Sequence, residues 1–139
     1  MITGRIQRIL GYRKGDCYRA CIATITGIPY NNIPHFCANE NKWWWRDTVR
    51  FLKFYKLNIF MINADESGYN LIRYYNKPVM AGGSTKRYKY NCDHMVVYRG
   101  DKMIFDPNPY GKGLKVVKNF TLILPNQSFK IENNRLFIQ

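Results

Sequence analysis

The sequence predicts an α+β fold, with N-terminal helices packed on an antiparallel β-sheet. Three observations carry this. Helical periodicity with clear start and stop signals is concentrated in the first half, in "DCYRACIATITG" and "KWWWRDTVRFLKFYKLN". The second half consists mainly of apolar or alternating runs of strand length, such as "LKVVKNFTLILPN". Between two of these runs stands "RGD", in "HMVVYRGDKMIFDP", which reads as a β-hairpin and so as antiparallel pairing. Helices first and sheet afterwards is the α+β order.

The elements follow in turn. A helix is expected from about Asp16 to Thr26, with Asp16 as N-cap and Gly27 followed by Pro29 as the stop. Its face Cys17, Ala20, Cys21, Thr24 is small, so a neighbour must approach closely. "IPYNNIPHFCANEN" has the prolines and asparagines of a loop. The tryptophan-rich segment after it is an amphipathic helix. Trp44, Thr48, Phe51, Leu52 and Tyr55 face the core, and Lys42, Arg46, Arg50 and Lys53 face water. "LNIFMIN" is a strand, "GYNLIRYYN" a short helix, "PVMAGG" a short strand, and the "LKVVKNFTLILPN" and "FKIENNRLFIQ" segments are further strands.

The loop of the hairpin decides which side chains share a face, because one residue more or less reverses them. A two-residue turn at Gly100-Asp101 pairs Met95 with Asp106 and leaves His94 on the other side. A three-residue loop, Tyr98-Arg99-Gly100, pairs His94 with Ile104 and brings Asp106 onto the face of His94. The glycine falls where such a loop needs positive φ, so the three-residue loop is the expectation.

The whole chain of 139 residues is expected to be one domain, long enough to bury a core without disulfide staples. Its 46% hydrophobic and 16% aromatic content excludes a disordered chain. No apolar run reaches the length of a membrane span, and "MITGRIQRILGYRKG" lacks an apolar signal core. A cytoplasmic location follows as the expectation, with the four cysteines as free thiols.

Thiol catalysis needs a thiolate, a base beside it and a group that orients the base. A helix N-terminus favours a thiolate through its free amides and dipole. Cys17, one residue past the expected N-cap, has that position. His94 on the hairpin is the candidate base, and Asp106 is the candidate orienter if the two share a face.

"GDCYRACIATITG" together with "HMVVYRGDKMIFDP" resembles the papain-like cysteine peptidases, in which cysteine, histidine and aspartate occur in this chain order. Among them it is similar to the peptidases that process double-glycine leaders, where a second cysteine follows the nucleophile by four residues. It resembles more closely a set of small papain-like proteins of phages and bacteria. The matching pieces are Gln7, Cys17 with Cys21, "IPHF" and "DHMVVYRGDKMIFDPNPYGKGL", within residues 5 to 114. Phe105 and Asn108 stand where those relatives often carry histidines. The resemblance implies a papain-like fold and hydrolysis through a thioester. Cys17 would be nucleophile, His94 general base and then acid, and Asp106 its orienter. Gln7 would donate to the oxyanion, beside the Cys17 amide. No cofactor or metal is implied. The resemblance also suggests a phage-encoded protein acting on a host target in the host cytoplasm.

Other readings stand beside this one. Cys21 is expected to be structural. His35 is a second candidate base, in a proline-flanked loop without a carboxylate at a telling spacing. Zinc could be offered Cys17 with Cys21, Cys92 with His94 and His35 with Cys37, but none is a Cys-x-x-Cys knuckle. The net charge of +13 favours an acidic peptide or protein as substrate, with nucleic acid the second choice. The second functional class is an inactive, basic binding protein of the same fold that captures nucleic acid, nucleotide or a host protein. A third is a deamidase or acyltransferase using the same three residues.

Overall fold

A computed structural model describes residues 4–6, 8, 15–87 and 90–139. Among the described residues the architecture is α+β, with three α-helices and a five-stranded antiparallel sheet. In chain order the elements are α1 (Cys17–Thr26), α2 (Trp44–Lys53), β1 (Leu57–Asn63), α3 (Glu66–Tyr75), β2 (Val79–Arg87), β3 (Tyr90–Arg99), β4 (Lys102–Phe105), β5 (Val116–Pro125), β6 (Phe129–Glu132) and β7 (Arg135–Ile138). Two short 3-10 turns, Tyr30–Asn32 and Ala38–Glu40, lie between α1 and α2.

The sheet order is β1-β5-β2-β3-β4, so β5 inserts between β1 and β2. The two faces bury different sets of residues. One buries α1 and α2, with Ala20, Cys21, Ile22 and Leu52 against Ile59, Met80, Val97 and Ile123. The other buries Ile72 of α3 against Val79, Ala81, Val96, Phe120, Leu122 and Leu124. A sheet covered on both faces explains why Phe120 to Leu124 is one continuous buried run. α3 covers this second face, together with Phe129, Leu136 and Ile138 of the β6–β7 hairpin.

Local chemistry sets the ends of the helices. Gly27, at φ 74°, caps α1, its N–H donating to the Ala23 carbonyl. The Asp65 side chain accepts from the Gly68 N–H at 2.8 Å and starts α3, and Asn76 ends it in the left-handed region. Of the face expected to meet the core, Thr48 and Leu52 are buried and Trp44 and Phe51 half-buried, whereas Tyr55, beyond the end of α2, is exposed. Tyr18 of α1 donates its hydroxyl to Thr48 at 3.0 Å and meets Trp44 edge to face, which fixes the two helices to each other. "FKIENNRLFIQ" forms two strands; Asn133 and Asn134 both take positive φ, the backbone of a two-residue hairpin turn.

Candidate active site

Cys17 is the first residue of α1. The first intrahelical bond is donated by Ala20 to the Asp16 carbonyl, at 3.0 Å. The amides of Cys17, Tyr18 and Arg19 precede that bond and have no acceptor within the helix. Asp16 was expected to cap these amides. It holds the N-cap position through its backbone, but its side chain makes no capping hydrogen bond. Its buried carboxylate lies 4.0 Å from the Arg19 guanidinium instead. The helix is close to the sheet because Ala20, Cys21, Ala23 and Thr24 are small and buried.

His94 lies on β3, opposite Gly83 of β2. Its Nε2 is 2.7 Å from Asp106 Oδ1, and the two side chains are 3% and 6% exposed. Cys17 lies near enough to the same ring to raise the His94 pKa, through hydrogen bonding and its negative charge.

The contact between His94 and Asp106 is reached by a route other than the expected one. The turn is the two-residue Gly100-Asp101, with Arg99 opposite Lys102 and Gly100 at φ 59°. Tyr98 faces Met103, but Val97 faces Phe105, so Ile104 is the extra residue of a β-bulge. The bulge restores the parity that the tight turn alone would lose, and Asp106 follows onto the side of His94.

The segment after β4 wraps the carboxylate. Asp106 Oδ1 accepts the Asn108 N–H and Oδ2 the Gly113 N–H, both at 2.9 Å. A side chain at Gly111 would collide with the carboxylate, so only glycine permits this approach. Asn108 is itself buried and accepts the Tyr110 N–H, which holds the turn. This cradle is a feature of the candidate site that reasoning on the triad alone missed. Its signal was the turn chemistry of "DPNPYGKG".

The electrostatics follow from these contacts. Burial pulls the His94 pKa down, but the hydrogen bonds to Asp106 and Cys17 and their negative charges outweigh it, and the net is a rise from 6.5 to about 9. Burial alone would raise Asp106; the His94 hydrogen bond, the two backbone N–H groups and the His94 charge hold it below the ordinary 3.8. Burial pushes Cys21 well up, with the Cys17 and Asp106 charges adding to it. Burial and the Cys17 charge push Cys37 up to about 11. His94 is therefore set to carry a proton at neutral pH, with Asp106 ionised beside it.

The remaining candidates are placed as follows. Gln7 lies outside the described residues. His35 is half-buried in the loop between the two 3-10 turns. Cys92 lies on β3, two residues before His94. Among the described residues no group of three or more His, Cys, Asp or Glu is arranged to hold a metal ion. No helix among them is long and apolar enough to cross a membrane. The geometry brings together a thiol at a helix start, an imidazole and a cradled carboxylate; against known proteins, no family model, curated protein or solved structure matches the chain.

Proposed function

We propose that the protein is a papain-like cysteine hydrolase whose first reaction is cleavage of a peptide bond. The observation that carries this is the His94–Asp106 pair at 2.7 Å, with Cys17, first residue of α1, near enough to act on the same imidazole. A histidine so held favours the imidazolium, and a base oriented by a carboxylate beside a thiol is the arrangement that thiol catalysis needs.

The chemistry follows from these roles. The Cys17 thiolate adds to the carbonyl carbon and the C–S bond forms. The amides at the start of α1 are suited to hold the resulting oxyanion. The His94 imidazolium gives its proton to the leaving nitrogen as the C–N bond breaks, and a thioester remains. Water then attacks the thioester while neutral His94 takes its proton. The C–S bond breaks, releasing a carboxylic acid and restoring the thiolate–imidazolium pair. Asp106 stays ionised and keeps the ring oriented. The excess of 22 basic over 9 acidic residues supports an acidic peptide or protein as substrate. Deamidation and acyl transfer use the same steps with a different leaving group or acceptor, and product analysis separates them.

The test is the alkylation rate of Cys17 against pH, read by peptide mapping, in the wild type and His94→Ala. Fast reaction near neutral pH that is lost or shifted upward in the variant supports the reading. A profile rising only near pH 8.5, the ordinary thiol value, and unchanged in His94→Ala would refute it.

A further inference from the structure

The exposed face of α2 is a second candidate site. An α-helix of 3.6 residues per turn brings positions eleven apart back to nearly the same azimuth, about 16 Å along the axis. Trp43 and Phe54, which flank α2, have this spacing. Both rings face solvent, Trp43 at 51% and Phe54 at 88% exposure. Arg50 falls between them on the same stripe, with Arg46 and Lys53 along one side, and all three are exposed. Lys42 Nζ and Arg46 Cζ already lie 5.1 and 4.7 Å from the Trp43 ring centre. The acidic side chain of α2, Asp47, is engaged by Asn41 at 3.0 Å and Arg46 at 3.3 Å. Folding does not require two solvent-facing aromatic rings here, since Thr48 and Leu52 supply the buried face.

We propose that this face binds single-stranded nucleic acid. Bases stack on Trp43 and Phe54, and phosphates meet Lys42, Arg46, Arg50 and Lys53. Acidic side chains would satisfy the cations but not stack on the rings, whereas every base has a face to stack. The net charge of +13 supplies the long-range attraction. The assignment is independent of any chemistry at Cys17.

The test is fluorescence anisotropy of a labelled oligothymidylate with the full-length chain, over a range of salt concentrations. The wild type is expected to bind, and Trp43→Ala with Phe54→Ala to bind about tenfold more weakly or worse. Trp43→Phe, which keeps a ring, is expected to retain most of the affinity. Arg46→Gln with Arg50→Gln should flatten the log–log salt dependence by about 0.7 for each lost phosphate contact. An abasic strand of the same length should bind the wild type as weakly as the oligothymidylate binds the ring-less variant. Equal binding of the abasic and base-bearing strands overturns the proposal. So does oligothymidylate affinity unaffected by loss of both rings, or no binding even at low salt. Polyglutamate binding that needs the α2 cations but not the rings would assign the face to an acidic protein and also overturn it.

Discussion

His94 Nε2 and Asp106 Oδ1 lie 2.7 Å apart because Ile104 bulges out of β4. The Gly100-Asp101 turn alone would place these two side chains on opposite sides of the sheet. Deleting Ile104 should therefore leave the hairpin paired but turn Asp106 away from His94. The expected outcome is a retained circular dichroism spectrum with the His94 pKa, followed by NMR, falling from about 9 toward or below 6.5. A deletion variant that kept the raised pKa would show that the bulge does not set the contact.

Asp106→Asn keeps the shape but removes the charge. His94 loses its strongest acceptor, so its pKa is expected to fall, and the Asn108 and Gly113 N–H groups lose a charged partner. If the protein hydrolyses peptides as proposed, turnover should drop by about 10²-fold or more. NMR titration of His94 and steady-state hydrolysis read the two effects separately.

Gly111→Ala places a methyl group against the Asp106 carboxylate. The loop or the carboxylate must move, at a cost of about 1–3 kcal/mol. Urea unfolding should show the loss of stability, and the His94 pKa should fall with it as the carboxylate shifts. The neighbouring substitution Lys112→Ala, at an exposed position, should leave both unchanged.

The pH dependence of stability has two limbs. His94 has a folded pKa raised from 6.5 to about 9, so its contribution is complete below about 6.5 and is lost as pH rises through 9. That shift corresponds to on the order of 3 kcal/mol. Asp106 has a lowered pKa, so its contribution is present above 3.8 and is lost as pH falls through its folded value. Unfolding free energy measured from pH 5 to 10 should decline on the alkaline side in the wild type, and His94→Gln should flatten that decline.

Much of this fold can be read in the sequence. β1 coincides with "LNIFMIN", and α1 ends where Gly27 requires it. The buried positions of α2 follow the amphipathic pattern at Thr48 and Leu52. The side of the sheet that α3 covers was not legible, because a short amphipathic helix fits either face. The turn was misjudged because glycine serves both loops considered: positive φ at Gly100 is required in either one. Bulges have no compositional mark of their own, so Ile104 reads as an ordinary strand residue. At the site, Cys17 stands out by its place at a helix start and His94 and Asp106 by the hairpin, with the family resemblance adding their chain order; the structure joins His94 to Asp106. The cradle of Asn108, Gly111 and Gly113 was harder to see because it works through backbone N–H groups and the absence of a side chain.

The place of β5 in the sheet has a consequence for synthesis on the ribosome. It is translated after β1 to β4, yet it is the strand that joins β1 to β2. While residues 116–125 remain in the exit tunnel, β1 has no partner in the sheet and β2 lacks one of its two neighbours. The support beneath Cys17 and His94 is thus completed late, by contacts between segments far apart in the chain. Cys21 is fully buried only in the completed fold, so its protection from alkylation on stalled chains of increasing length would time the closure of the sheet.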